Sequence, residues 1–450
     1  MLKIYDVQSA HDTILRRDNW LEQEAPPYIQ AGIERIFGEA LTPADAVRRI
    51  LEDVRARGDA ALREWTARID GVELETLRVP AEQIEEALET IPEALRDALE
   101  LAAGRIRDFH RRQPLPHWST TEMGGWMGQR VTPLRRVGIY VPGGTAPLPS
   151  SLLMTAIPAQ VAGVPEIVAV TPPGRDGVPA PILAAAAVAG IDHLYALGGA
   201  QAIAALAYGT KSIQQVDKIA GPGNLFVTLA KQQVYGQVGI DGLYGPTETM
   251  IIADEQAHPR WLAADLLAQA EHDRLASAIL LTPSRRLAES VQVEVGQQLE
   301  NLPRGEIAAT ALAERGGIVL TADLDEAARL ADDFAAEHLC LDVDDPRALA
   351  EKIASGGCFF LGGRSFEVLG DYVAGPSHSL PTGGTARFAS PLNVFDFVRI
   401  NSFVALDAES AAALCDAAAL IAEAEELDGH ANAARVRRKV SARAGREERG

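Results

Sequence analysis

Short aliphatic runs alternate with alanine-rich amphipathic stretches over most of the chain. From Arg136 onward the apolar runs end in glycine turns and are followed by helical periodicity. This alternation is typical of βαβ units, because parallel strands buried on both faces are continuously apolar. The first series of predicted strands is RVGIYV, EIVAV, HLYAL and VDKIA, and the second is TMIIAD, SAILLT, GGIVLT, LCLDV and GCFFLG. The pattern predicts an α/β fold with two doubly wound, Rossmann-like lobes built on parallel sheets.

Both ends of the chain favour helices. Residues 46–71 and 83–113 repeat apolar positions every three or four residues, and residues 409–440 form an alanine-rich stretch that ends in basic residues. Such spacing places the apolar side chains on one face of a helix. We therefore expect a helical region up to about Arg130 and a C-terminal helical arm from about Leu406.

Composition restricts the partners and the compartment. The chain has 450 residues, of which 47% are hydrophobic, and this suits two or three folded domains. Its formal net charge of −20 disfavours binding to nucleic acid or to an anionic membrane, because phosphates would be repelled. The N-terminus lacks a signal-peptide core, the longest apolar run is too short to span a bilayer, and the three scattered cysteines suit reduced thiols. We expect a cytoplasmic protein.

Three glycine turns lie at predicted junctions between a strand and a helix. They read IYVPGG, ALGGAQA and IAGPGN. Backbone N–H groups in such turns can approach a phosphate closely. None of the three matches the G-x-G-x-x-G fingerprint. Two interpretations therefore stay open, a nucleotide site and a tight turn that only connects a strand to a helix.

Nitrogen and oxygen donors recur in three segments of the second half of the chain. One segment is a predicted helix with a Gln-x-x-His pair on one face, one is the glycine- and proline-rich loop after GCFFLG, and one is the C-terminal arm. Zn²⁺ accepts such donors, although a Gln-x-x-His pair alone is more often structural. The donors are Gln269, His272, Asp371, His378, Glu425 and His430.

An acid and an imidazole are adjacent just before a predicted strand, at Glu337 and His338. Together they can supply two proton-transfer groups near neutral pH. The plainer interpretation is a solvated glutamate beside a histidine packed on the sheet edge. The local sequence does not decide between the two.

Nine segments, taken together, resemble the histidinol dehydrogenase family. They occur in the family's order and at compatible spacings between about Ile33 and Lys439. Each segment alone is modest, but the ordered set is specific. The segments are VGIYVPGG, GGAQAIAALAYGT, VDKIAGPGN, GPTE, AQAEHD, EHL, GDYVAGPSH, LPTGGTARF and ELDGH.

The resemblance implies a zinc enzyme that oxidises L-histidinol through L-histidinal to L-histidine with two NAD⁺, at the end of histidine biosynthesis. It also implies one Zn²⁺ per subunit and a homodimer with shared active sites, in which Glu425 and His430 come from the other subunit. The second lobe would be inserted in a discontinuous first lobe. The implied boundaries are 1–33 for an N-terminal segment, 34–139 with 249–391 for the first lobe, 140–248 for the second lobe, and 392–450 for the C-terminal arm.

The resemblance also implies a role for each matching residue. Zinc would be bound by Gln269, His272, Asp371 and His430, and acid–base catalysis would use Glu337 and His338. NAD⁺ would contact Tyr140, Gln201 and Asn224, which lie in or beside the three glycine turns. The substrate would contact Thr247, Gln269, His272, His338, Asp371, Tyr372, His378, Glu425 and His430.

Four positions depart from the usual family motifs. Thr247 stands where serine is common, and Tyr244 occupies the turn before it. Ala336 replaces a proline, and Ser377 lies where the family has asparagine. All four border the implied substrate pocket, so they bear on the substrate more than on the chemistry.

Two other functions compete with this interpretation. A related dehydrogenase could act on another small primary alcohol, such as a sulfonated propanediol. A two-lobed solute-binding protein would also have paired α/β lobes around a cleft, but it needs a secretion signal and has no use for the Glu337–His338 pair. NADH formation from histidinol, compared with formation from a panel of small polyols, separates the two dehydrogenases, and ligand binding without any NAD reduction would indicate the binding protein.

Overall fold

Two parallel sheets and one antiparallel sheet organise the chain. The computed structural model describes residues 2–17, 25–143 and 147–447. In chain order the strands are β1 (Ile4–Asp6), β2 (Trp118–Thr120), β3 (Gly125–Pro133), β4 (Arg136–Tyr140), β5 (Glu166–Thr171), β6 (His193–Ala196), β7 (Lys218–Ala220), β8 (Gly239–Ile240), β9 (Glu248–Ala253), β10 (Ser277–Thr282), β11 (Gly317–Leu320), β12 (His338–Asp342), β13 (Cys358–Leu361) and β14 (Val398–Leu406).

The helices lie between these strands along the chain and also near its two ends. Several begin at a side-chain cap, such as Thr42, which accepts a hydrogen bond from the Asp45 N–H, and Asp323, which accepts one from the Glu326 N–H. The helices are α1 (Val7–His11), α2 (Pro27–Phe37), α3 (Pro43–Arg57), α4 (Asp59–Asp70), α5 (Ala81–Thr90), α6 (Glu93–His110), α7 (Pro149–Val161), α8 (Ala180–Ala189), α9 (Gly199–Tyr208), α10 (Leu225–Val234), α11 (Pro259–Ala270), α12 (Arg285–Leu299), α13 (Gly305–Glu314), α14 (Leu324–Phe334), α15 (Pro346–Ala350), α16 (Glu367–Tyr372), α17 (Ala408–Ala424) and α18 (Asp428–Glu447).

The chain divides into two compact units. The first unit consists of residues 1–113 and 134–397, and the second of residues 114–133 and 398–450. The first unit holds both parallel sheets, with strand orders β1-β11-β10-β9-β12-β13 and β6-β5-β4-β7-β8. The second unit holds the antiparallel sheet β14-β3-β2 and the helices α17 and α18.

The cores explain why the aliphatic runs form parallel strands. Every residue of β9 and of β10 is buried. One face of their sheet packs on side chains such as Leu266 and Val291, and the other on side chains such as Leu330 and Phe334. A sheet covered on both faces requires apolar residues at successive positions. The predicted α/β fold with parallel sheets is confirmed, and each of the nine predicted aliphatic runs overlaps a strand.

Both ends of the chain contain strands that the sequence did not predict. The region up to Arg130 is not helical throughout, because it contains β1, β2 and most of β3. At the other end, α17 and α18 form the helices expected from about Leu406, whereas the implied arm of 392–450 also includes β14. The residues of β14 are exposed or half-buried along its length. Such a strand lacks the continuous apolar signal that marks the parallel strands. In the part of the chain that the structure describes, no helix has the length and apolarity needed to cross a membrane.

A buried ion pair joins α10 to the segment before β9. Lys231 is 1% exposed, and its Nζ donates to the Asp241 carboxylate and, at 3.0 Å, to the Gly221 carbonyl oxygen. Asp241 Oδ2 also accepts from the Gly221 N–H at 2.7 Å. Burial lowers the pKa of Lys231, and Asp241 opposes that shift. The pair therefore fixes the turn that follows β7.

Replacing Lys231 with methionine should destabilise the protein, because Asp241 would stay buried without its counter-charge. We expect the free energy of unfolding to fall by about 3–5 kcal/mol, measured by urea denaturation. Lys352→Met is the matched control, since it removes an exposed ion pair with Asp325 and should cost less than about 1 kcal/mol. Equal losses in the two variants would contradict the role given to burial.

Candidate active site

The candidate acid and base, Glu337 and His338, lie at the amino-terminal end of β12, beside the start of its partner strand β9. β9 and β12 run in parallel, with His338 aligned to Thr249. Glu337 precedes His338 by one residue and therefore lies against the start of β9. This edge of the sheet is opposite to the carboxyl edge, where sites in α/β folds are usual. The prediction that Asp371 lies in a loop after a strand is wrong. Asp371 lies in α16, and the irregular glycine- and proline-rich segment begins only after that helix.

Glu337 is a buried carboxyl group with two donors. Its Oε2 accepts from the Glu248 N–H at 3.0 Å and from the Thr247 hydroxyl at 2.6 Å. Burial raises the pKa of Glu337 to about 7, although His338 and these hydrogen bonds act in the opposite direction. A carboxyl group with that pKa can exchange protons near neutral pH.

His338 has one imidazole nitrogen engaged and one available. Its Nδ1 lies 3.1 Å from the Glu248 carbonyl oxygen, which can only accept, so Nδ1 carries a proton. Within the described part of the chain its Nε2 has no hydrogen-bond partner, and it lies 3.5 Å from Asp371 Oδ1. Burial lowers the pKa of His338, but the carboxylates of Glu367, Glu337 and Asp371 outweigh burial and hold it well above its usual value.

Donors suited to a divalent cation surround this pair. His338, Glu367 and Asp371 each offer a ligand atom, and these atoms lie within 4.8 Å of one another. His272 lines the same cavity as Asp371, and burial lowers its pKa, which favours the neutral imidazole that metals bind. Gln269 is fully buried and contacts Thr247, which also lines the cavity. The donor set of imidazole, carboxylate and amide oxygen fits Zn²⁺.

The cavity beside these donors has a volume of about 170 Å³. His378 forms part of its wall. The Nδ1 of His378 lies 2.9 Å from the Asp371 carbonyl oxygen, and its Nε2 lies 3.2 Å from the Ser151 hydroxyl. Ser377 is buried and donates to the Met154 carbonyl oxygen at 3.0 Å, so this departure from the family motif anchors the loop to α7. The remaining lining residues include Tyr244, Thr247, Tyr372 and Leu380.

Two predicted site residues lie in the second compact unit. Glu425 is the C-cap residue that follows α17, and His430 lies in the first turn of α18. Both side chains are exposed within the chain. Their roles in metal and substrate binding therefore stay predictions. The first unit brings together Gln269, His272, Asp371, His378, Tyr372, Thr247, Glu337 and His338.

The predicted dinucleotide contacts lie at the carboxyl ends of the other parallel sheet. Tyr140 ends β4, and its hydroxyl oxygen accepts from the Gly199 N–H at 3.1 Å. Gln201 is fully buried, and its Oε1 has no partner among the described residues. Asn224 caps α10 through the N–H groups of its first turn. An unsatisfied buried amide beside a glycine turn suits a polar ligand such as a dinucleotide.

Gly221 shows how closely the backbone is packed at this sheet edge. Its φ is +114°, and a Cβ there would lie 2.2 Å from the Tyr140 carbonyl oxygen. A side chain would therefore separate the turn after β7 from the end of β4. The turn after β4 is only partly described, since Gly144 lies outside the described residues.

Sequence reasoning missed three residues of the candidate site. Ser151 contacts His378, and Glu248 contacts both Glu337 and His338 through its backbone. Glu367 is buried one helical turn before Asp371. Recognition of residues 367–372 as a helix would have placed Glu367 and Asp371 on one face, because residues four apart are neighbours.

Comparison with known proteins identifies the family. The family model described as Histidinol dehydrogenase matches residues 39–438. A curated relative of that name from Deinococcus radiodurans is 54% identical over 417 residues, which are 92% of this chain and 95% of the relative. Another, from Thermus thermophilus, is 53% identical over 397 residues, covering 88% and 95% of the two chains.

A solved structure agrees with the sequence relatives. The crystal structure of histidinol dehydrogenase from Elizabethkingia anophelis superimposes with a TM-score of 0.88 at 34% identity, covering 98% of each chain. Together these matches confirm the resemblance found in the motifs. The chain belongs to the histidinol dehydrogenase family and is an NAD-dependent oxidoreductase.

Proposed function

We propose that this protein is a zinc-dependent histidinol dehydrogenase, which oxidises L-histidinol through L-histidinal to L-histidine with two NAD⁺. The observation that carries the proposal is the buried Glu337–His338 pair, in which the imidazole Nε2 lies 3.5 Å from the carboxylate of the cation donor Asp371. Family membership makes a solute-binding protein a poor alternative. A different primary alcohol as substrate is the remaining alternative.

The chain supplies the proton transfers. His338 Nε2 would take the hydroxyl proton of the alcohol, since Nδ1 is held as a donor by the Glu248 carbonyl oxygen. Glu337 would activate the water that hydrates the aldehyde, because its pKa of about 7 suits a base near neutral pH. Thr247 and the Glu248 N–H hold its carboxylate in place.

Two bound groups complete the chemistry. A Zn²⁺ held by Gln269, His272, Asp371 and His430 would supply Lewis-acid polarisation and offset the carboxylate charge around His338. NAD⁺ bound near Tyr140, Gln201 and Asn224, in the proposed lobe 140–248, would accept the hydride. We also infer a cytoplasmic location, in keeping with an amino-acid biosynthetic enzyme.

We infer that the enzyme is a homodimer whose partner provides Glu425 and His430. Both residues are exposed in the second compact unit, so the chain itself leaves their side chains free for a subunit contact. A closed two-fold dimer would build two equivalent sites, each from both subunits. The substrate contacts proposed for Tyr372 and His378 come from the first unit.

The roles of Glu337 and His338 should separate by substrate. His338→Asn should lower kcat with histidinol by about 10²–10⁴-fold, because it removes the base for the alcohol step. Glu337→Gln should slow oxidation of histidinal by about 10²-fold or more while leaving the first hydride transfer within about tenfold of wild type. Stopped-flow NADH formation with each substrate measures both effects. Equal slowing of the two steps by Glu337→Gln would contradict its assignment.

Shared active sites predict complementation between two inactive variants. His338→Asn and His430→Ala should each have little activity alone. Mixed under exchange, half of the dimers carry one of each subunit, and each has one intact site if His430 acts across the dimer. The mixture should then recover about a quarter of wild-type activity. No recovery, with heterodimer formation verified by mass spectrometry, would show that the arm serves its own subunit.

A further inference from the structure

Gln269 is an amide whose orientation can be read from its neighbours. It is fully buried, and its side chain meets the Glu248 N–H, the Thr247 hydroxyl and the Glu367 carboxylate. In one orientation the amide oxygen accepts from the Glu248 N–H at 2.7 Å and the amide nitrogen donates to Glu367 Oε1 at 2.6 Å. In the other, the amide nitrogen and the Glu248 N–H, which are both donors, would face each other.

The Thr247 hydroxyl does not decide between these orientations. Its oxygen lies 2.7 Å from the nearer atom of the amide in either case. It can accept from the amide nitrogen while it donates its one proton to Glu337 Oε2, or it can donate that proton to the amide oxygen instead. The backbone N–H of Glu248 can only donate. The amide oxygen of Gln269 therefore lies on the side of Glu248 and Thr247, and the amide nitrogen lies on the side of Glu367.

Glu367 is itself held in place. It is 2% exposed and is the first residue of α16. Its second carboxylate oxygen accepts from the Thr249 hydroxyl on β9. One side chain thus connects α16, β9 and, through Gln269, the end of α11. Each of its oxygens already accepts a hydrogen bond from a buried donor.

We propose that Glu367 is a positioning residue, which holds the Gln269 amide so that its oxygen faces Thr247 and the active-site cavity. Only the oxygen of an amide can bind a cation, because the nitrogen has no lone pair available. The oxygen has two acceptor positions, so it can keep the Glu248 N–H and still bind a metal. This inference rests on the proposed zinc function. Glu367 would hold the metal ligand Gln269 by a hydrogen bond without touching the metal itself.

A direct metal ligand is the competing role for Glu367. Its carboxylate belongs to the group with His338 and Asp371 whose ligand atoms lie within 4.8 Å of one another. The two roles make different predictions when the amide at position 269 is replaced. A carboxylate there would offer oxygen on both sides and would need no orientation.

The test is a double-mutant cycle in zinc affinity. The zinc dissociation constant is measured by competition with a chromogenic chelator for the wild type, Glu367→Gln, Gln269→Glu and the double variant. Glu367→Gln should weaken zinc binding about 10–100-fold in the wild-type background. In the Gln269→Glu background the same change should cost less than about threefold, because the introduced amide can donate to the introduced carboxylate.

Each result bears on the proposal. An equal loss in both backgrounds would make Glu367 a direct ligand and overturn the positioning role, as would no loss in either. Thermal unfolding of the metal-free proteins checks that each variant folds. If one single variant fails to fold, the double variant still pairs an amide donor at position 367 with a carboxylate acceptor at position 269. If the wild type binds no zinc, the proposed zinc function is overturned as well. If the wild type binds zinc and the loss is equal in both backgrounds or absent from both, only the role of Glu367 is overturned.

Discussion

The parallel pairing of β9 with β12 is the constraint on which the candidate site depends. It places the backbone of Glu248 between the two catalytic candidates, so that its N–H contacts Glu337 and its C=O contacts His338. The side chain of Glu248 is paired with Arg17, whose guanidinium also donates to the Phe334 carbonyl oxygen at 3.0 Å. The start of β9 and the segment leading into Glu337 are therefore joined through one arginine. A shift in register would separate the acid from its donors and the imidazole from its acceptor.

Electrostatics explain why this constraint leads to a cation site. Burial raises the pKa of Glu337 to about 7 and that of Glu367 to about 8, and Asp371 lies close to both His338 and His272. Several buried carboxyl groups around imidazoles are costly unless a positive charge is present to compensate. The imidazolium of His338 supplies that charge in the chain alone. A divalent cation would supply it in the enzyme and leave His338 available for proton transfer.

The sequence predicts the parts of the fold that are buried on both faces. Runs such as TMIIAD and SAILLT become central strands because the helices on either side require apolar residues at every position. Strand β14 could not be found in this way, since its residues are exposed or half-buried and carry no continuous apolar signal. Local spacing also could not select the site residues from the other histidines and carboxylates. The ordered family motifs identified the site residues. They did not identify Glu367, which lies outside all nine of the family segments.

The central claim is that one buried acid–base pair, beside a bound cation, carries out two successive oxidations. The most direct measurement is the number of NADH molecules formed for each histidinol consumed by the zinc-loaded enzyme, with a nucleophile present to trap free aldehyde. The account predicts two NADH per histidinol and no trapped aldehyde, and no NADH after zinc is removed. One NADH per histidinol with the aldehyde released, or full activity in metal-free protein, would contradict it.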